Sequence, residues 1–313
     1  MVGNTHNSLA ITIDIEDWYH IPSVCGSPFS VYRDTDDFFS NWKERYDYLT
    51  EPTRRILSLL RTYDIKATFF VVADVAEHYP GLVESIVSEG HEIACHGLHH
   101  GCAIDPKTKK PLIDPETFEK ETKEAKNILE EIAGVPVMGY RAPNALIAGW
   151  MIDSLEKTGF VYDSSVSVNS LYNKTDSSLG GVSSSPYFPK PAQLTPGERR
   201  GLVEFPWAYY DVCGLKVPTS GGPMMRFLSA GMMYKGLQQS LKRGHTVFYF
   251  HPIDVSYEDF PAIGKGRPLY WMIKGKVVED RIRYILTRFT RLPDPVPITT
   301  LRTIYEKCCV QYR

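Results

Sequence analysis

Short apolar segments rich in β-branched and aromatic residues alternate along this chain with amphipathic helical segments, the pattern of a largely parallel sheet wrapped by helices. LAITIDI (Leu9 to Ile15), KATFFVV (Lys66 to Val72), HEIAC, PVMGY, FVYDSS and TVFYF read as strands. Between them, Thr50-Glu51-Pro52 opens a helix with an early proline, and Leu82, Val83, Ile86 and Val87 form the apolar stripe of another that stops at Gly90. Further helices are expected over 115–133, closed by Gly134, and over 151–157, 227–243 and 270–288. The periods share no repeated motif, so they predict one barrel or open sheet and not a solenoid.

Two stretches break the rhythm. Residues 164–201 are rich in Ser, Gly and Pro and predict a long surface excursion, and 19–49 carry aromatics and acids without clear periodicity. Strand signals resume directly on both sides of each, which favours a single domain over 1–313, with a core of about 9–255 and a helical C-terminal extension over 268–313. A chain of 313 residues can bury a large core without disulfides, and its six cysteines include no CxxC pair. With 35 basic against 37 acidic residues the net charge is −2, so nucleic acid is not the expected partner. The opening twenty residues lack a basic start followed by an apolar run, and no apolar stretch reaches membrane-spanning length; a cytoplasmic location is the expectation.

The polar residues that matter sit at strand ends, where parallel α/β folds place their sites. CHGLHH follows the HEIAC strand, and the four-residue spacing of His96 and His100 lets two imidazoles face one point as ligands of a divalent transition metal. The plainer reading is a histidine-rich surface loop. IDIEDW ends the first strand with Asp14, Glu16 and Asp17, three acids that repel one another unless a cation joins them; taken alone, a solvated strand end explains them as well. A carboxylate added to the two histidines makes a three-ligand site with an open position, the pattern of a hydrolytic metal centre, and leaves another acid free as a base. Arg141 in GYRAPN, Asp163 in YDSS and His251 in FYFHP end three more strands. Packing alone would be served by apolar residues at those positions.

The ordered set IDIED, TFF, HGLHH, RAP, DSS and a late strand-ending histidine resembles the polysaccharide deacetylases, the carbohydrate esterase family 4 with NodB homology, over roughly 9–252. IDIEDW, EFPW (Glu204 to Trp207) and GGPMMRFL look most like a branch associated with exopolysaccharide biosynthesis, related to peptidoglycan deacetylases and allantoinase-like members. The resemblance implies an α/β fold, a distorted (β/α) barrel of about seven parallel strands, and one divalent metal, usually Zn2+ with Co2+ as an option. It implies hydrolysis of the acetamide on an N-acetylated sugar in a polysaccharide, oligosaccharide or lipid-linked precursor. Asp14 then matches the base, His96 and His100 the metal ligands, Arg141 the residue orienting the base and His251 the general acid, with Asp163 pairing with that histidine or supporting the site.

The third ligand departs from the family's adjacent aspartate pair. Alternation along a continuing strand puts Glu16 on the face of Asp14, whereas a turn beginning at Glu16 swings Asp17 inward; the shorter carboxylate on the turn is slightly favoured and Glu16 stays open. A backbone N–H near Asn144 is the expected oxyanion donor, and Trp18, Tyr19, Trp207 and Tyr209 are expected as flat faces for sugar rings. An allantoinase-like amidohydrolase and a non-catalytic glycan-binding barrel are the competing readings. The sequence leaves the oligomeric state open.

Overall fold

The computed structural model describes residues 7–21, 24–25, 30–42, 46–260, 272–291, 293 and 295–310. Its framework is a sheet of β1 (Leu9–Ile15), β2 (Thr68–Val71), β3 (Glu92–Cys95), β4 (Gly139–Tyr140), β5 (Tyr162–Asp163) and β6 (Val203–Glu204). A hairpin of β7 (Tyr209–Val212) and β8 (Leu215–Pro218) follows, then β9 (Thr246–Phe250) and β10 (Ile298–Thr299). The seven strands β9-β1-β2-β3-β4-β5-β6 lie side by side, every neighbouring pair parallel. A parallel bridge between Trp207 and Val247 brings the far edge back to β9, so the sheet curls into a distorted (β/α) barrel.

The period of two decides what faces in. In β1 all seven residues are buried, as in a parallel strand covered on both faces. Ile11, Ile13 and Ile15 pack outward with the helices. Ala10 belongs to a second cluster that fills the barrel with Phe70, Ala94, Tyr162, Val203, Trp207, Val247 and Tyr249. Thr12 and Asp14 share the face of Ala10, and on neighbouring β9 the inward series of Val247 and Tyr249 continues to His251 at the C-terminal mouth. The interior is crowded: a Cβ on Gly139 would lie 1.9 Å from the Tyr162 ring.

Helices over Thr50–Thr62 and Pro115–Ala133 form as their sequences predict. Asp114 caps the second by accepting from Thr117 N (2.7 Å), and Gly134 closes it in a left-handed conformation, φ 64°. Residues between β5 and β6 contain no helix or strand, as the Ser/Gly/Pro-rich composition predicts. Two expectations need correction. The helix expected over 227–243 begins at Ala230, where the Ser229 side chain N-caps it, and runs to Arg243; a separate short helix, Gly222–Phe227, precedes it. The C-terminal segment is not simply helical: β10 pairs with β1 at Leu9 and Ala10, and Leu301, Ile304 and Tyr305 then plug the closed end of the barrel. The last expected helix runs Lys276–Thr290; its expected start at Tyr270 lies outside the described residues.

Candidate active site

Asp14 ends the inward face of β1 and is held by Arg141, which leaves β4 and is fully buried. The guanidinium reaches Asp14 Oδ1 at 2.5 Å and Thr12 Oγ1 at 2.9 Å through one nitrogen. Its other two nitrogens donate to the carbonyl and hydroxyl of Ser164, at 2.8 and 2.9 Å. Its plane covers the Phe70 ring 4.0 Å from the centroid. A planar fork with all three nitrogens engaged fixes one carboxylate oxygen and leaves Asp14 Oδ2 toward the pocket.

Glu16, His96 and His100 converge, with their nearest ligand atoms all within 4.8 Å of one another. The His96 ring nitrogen Nδ1 lies 2.8 Å from the Arg141 carbonyl, an acceptor that fixes the proton there and turns Nε2 inward as a lone pair. Burial pushes His96 down to about 4, against the pull of Asp14, so the ring is neutral as a ligand must be. His100 is 2 % exposed, yet neither of its ring nitrogens makes a well-formed hydrogen bond, although Nε2 lies 2.5 Å from Glu16 Oε2. Burial would raise the Glu16 carboxyl, but His100, His251 and His96 outweigh it and hold it below the usual carboxylate range. Two inward-facing imidazoles and a carboxylate with orphaned buried donor atoms fit a tetrahedral divalent ion with one open position.

Asp17, favoured from the sequence, is not in this cluster. It caps the short turn Trp18–His20, accepting from Trp18 N at 2.7 Å and from the Tyr79 hydroxyl. The strand direction persists through Glu16, so alternation wins over the turn. Trp18 and Tyr19 are also corrected: both are buried in an aromatic cluster with Phe38, Trp42 and Tyr48 and do not line the pocket.

His251 follows β9 and points Nε2 at Glu16 Oε1 (3.3 Å) and Asp14 Oδ2 (3.8 Å). The expected pairing with Asp163 does not form. Asp163 instead bonds the hydroxyl of Ser165 at 2.7 Å and shares a hydrogen bond with buried Glu204; Ser165 in turn accepts from Ala142 N, so Asp163 supports the turn after Arg141. The partner of His251 is Asp254, which accepts from the ring Nδ1 at 3.0 Å and from the His251 backbone N–H at 2.8 Å. Buried Arg226 lies 2.7 Å from the other oxygen of Asp254. Burial opposes charge on His251, but Asp254 first, then Glu16 and Asp14, carry it up to about 9. Sequence reasoning missed Asp254 and Arg226. The signal for Asp254 was present in HPID, a helix-start pattern with proline first and an acid three residues past the cap.

These groups share one pocket of about 220 Å³, whose walls include Trp207, Tyr249, Asn144, Ala145, Lys174 and Gly222. Trp207 is pinned by its indole N–H to the Ser164 carbonyl at 2.9 Å and stacks obliquely on Tyr249. Asn144 and Ala145 both adopt left-handed backbone conformations, φ 58° and 57°.

Residues 41–162 match the family model of the polysaccharide deacetylases. That match supports a polysaccharide deacetylase family member. Residues 169–292 match a second model, described as a domain of unknown function, DUF3473. A Bacillus cereus peptidoglycan-N-acetylglucosamine deacetylase is 27% identical over 128 residues, 36% of this chain and 44% of that protein. The chain thus spans less than half the length of the first curated relatives it matches. Among solved structures, a Mycobacterium smegmatis protein assigned to the polysaccharide deacetylases covers 100% of this chain and 94% of its own, at TM-score 0.63 and 21% identity. An allantoinase covers 99% and 93%, at TM-score 0.55 and 17% identity. Such distant likenesses describe the fold alone. Relative to these matched regions the site draws on three stretches. Asp14 and Glu16 precede both matched regions, His96, His100 and Arg141 come from the first, and Trp207, Arg226, His251 and Asp254 come from the second.

Proposed function

We propose that the protein is a divalent-metal-dependent N-deacetylase that releases acetate from an N-acetylated sugar of a glycan or glycan precursor. The observation that carries this reading is the convergence of an Arg-held carboxylate, a His-His-Glu ligand set and an Asp-backed histidine on one pocket. A divalent ion held by Glu16, His96 and His100, most simply Zn2+, would supply Lewis acidity at the acetamide carbonyl and acidify the attacking water.

The chain's own residues divide the remaining work. Asp14, oriented by Arg141, takes the proton from the water as it adds to the carbonyl carbon. The Asn144 backbone N–H meets the oxygen that gains charge. His251, held as a donor by Asp254, gives a proton to the sugar nitrogen as the C–N bond breaks, so that an amine departs rather than an amide anion. The products are acetate and the free amino sugar. Trp207 and Tyr249 present the aromatic wall against which a sugar ring packs. The branch linked to exopolysaccharide biosynthesis and a cytoplasmic setting remain part of this proposal; among the described residues no helix is long and apolar enough to cross a membrane.

A screen for acetate release from N-acetylated oligosaccharides and for ring-opened product from allantoin, with Zn2+, Co2+ or chelator, tests the reading. Metal-restored acetate release supports it, and turnover of allantoin alone would transfer the protein to cyclic-amide hydrolysis. Asp14→Asn should keep the metal by elemental analysis while losing about 10²–10⁴ in kcat. Full activity in that variant would remove Asp14 from the role of base.

A further inference from the structure

Lys174 enters the pocket from the region that matches the domain of unknown function. Its backbone is clipped in place, its carbonyl accepting from Ile147 N at 3.3 Å beside a bridge between Ile147 and Thr175. Its ammonium donates to the Asn144 carbonyl at 2.6 Å. That carbonyl is presented by two consecutive non-glycine residues in the left-handed region, a costly conformation that a turn keeps only when the surroundings enforce it.

The charge accounting around the pocket singles this lysine out. Arg141 is matched by Asp14, while Arg226 and His251 are both matched by Asp254. Lys174 also lines the pocket, but no carboxylate lies within ion-pair distance of it among the described residues, and its only ring neighbour, Tyr172, is 5.5 Å away. Burial pulls its ammonium down to about 8, which leaves it charged at neutral pH while depriving it of water. Glu16 attracts it only from beyond ion-pair distance, and a half-desolvated cation without a contacting counter-charge is unfavourable where an apolar side chain would pack at less cost. The deficit disappears when a ligand brings the anion.

We propose that Lys174 determines specificity by binding an anionic group, a carboxylate or a phosphate, carried by the substrate next to the N-acetylated sugar. This rests on the deacetylase reading above and narrows its substrate class from N-acetylated glycans in general to acidic ones. The pocket's two lining carboxylates do not oppose it, because Asp14 is paired with Arg141 and Glu16 faces the histidines.

The test measures equilibrium binding, by calorimetry on the metal-loaded protein, of three probes. These are neutral tetra-N-acetylchitotetraose, a tetrasaccharide alternating glucuronate with N-acetylglucosamine, and N-acetylglucosamine 1-phosphate. At least one acidic probe should bind about tenfold or more tightly than the neutral one, with the difference shrinking as salt rises, and the two acidic probes separate carboxylate from phosphate as its source. Lys174→Met should abolish the difference between acidic and neutral probes, and Lys174→Arg should retain it. Thermal unfolding of each variant checks that the fold is intact. Equal or undetectable binding of all three probes by the unaltered protein overturns the proposal, as does an acidic preference that survives in Lys174→Met. Acetate release is followed on the same samples: its absence from every probe would defeat the deacetylase reading while leaving the binding comparison to stand or fall separately.

Discussion

Glu16 and Asp17 are adjacent carboxylates with opposite fates, and the difference is one of backbone direction. Through Glu16 the chain keeps the two-residue alternation of β1, so its carboxylate joins His96 and His100 on the inward side. At Asp17 it turns, and that carboxylate serves the N–H of Trp18 and the Tyr79 hydroxyl. Glu16→Gln should therefore lower metal affinity by at least about 100-fold, beyond the 10–100-fold typical of outer partners, whereas Asp17→Asn should leave it within a few-fold. Competition with a chromophoric chelator measures both. Metal loss in Asp17→Asn with full retention in Glu16→Gln would reverse the ligand assignment. The same scale separates His251 from its supports. Asp254→Asn removes the negative charge behind the imidazole but keeps its shape, so turnover should fall about 10–100-fold with metal content unchanged, an outcome readable from kcat and elemental analysis together.

At the scale of strands and helices, the sequence exposes whatever is periodic and hides whatever is short. The seven-residue run of β1 and the five of β9 could be read directly, as could the helix 115–133, because each is long enough to show its period and carries its own caps. Asp14, His96, His100, Arg141 and His251 were legible because each ends or follows an apolar run that reads as a strand in the sequence, even at PVMGY, of which β4 keeps only two residues. Strands β6 and β10 were not, since two residues show no alternation and their pairing is decided by the sheet they complete. Trp18 and Tyr19 misled because an aromatic near a strand end looks identical whether it meets a sugar or a neighbouring ring. Arg226 and Asp254 depend on contact across 28 residues of chain, which no local pattern encodes.

Close packing between elements gives a sharper expectation. Gly139 on β4 leaves room only for the Tyr162 ring of β5, and any Cβ there would lie 1.9–2.2 Å from three of its atoms. Gly139→Ala should cost about 3 kcal/mol in urea unfolding, the upper end of ordinary overpacking. Adding Tyr162→Leu should recover part of that loss although the second change is itself destabilising, a coupling that a double-mutant cycle detects. Simple additivity of the two would show that the ring is free to move aside.

For the molecule as a whole, the barrel is closed at one end by the C-terminal segment and open at the other, so chemistry and stability are separated along its axis. Leu301 N donates to Thr68 Oγ1, and Arg302 N and the Tyr162 hydroxyl donate to half-buried Glu92, tying the plug to β2, β3 and β5 away from the mouth. His91, just before β3, accepts from Ala67 N at 3.2 Å and is 6 % exposed. Burial, aided by the nearby Lys66 and Arg61 charges and resisted by Glu89, pushes its imidazole down to about 4. The unfolded chain therefore binds a proton at His91 that the folded one refuses between pH 6.5 and about 4. The contribution of a neutral His91 is present in full above pH 6.5 and declines as pH falls through that window, by at most about 3 kcal/mol. Other buried acids titrate in the same range, so the informative quantity is the difference from His91→Asn, which cannot take up the proton. Whatever that substitution costs at pH 7.5, the gap between the two proteins should shrink steadily from pH 6.5 to 4 and be flat above pH 7 in urea unfolding. A gap independent of pH would mean that His91 accepts its proton without leaving the native fold.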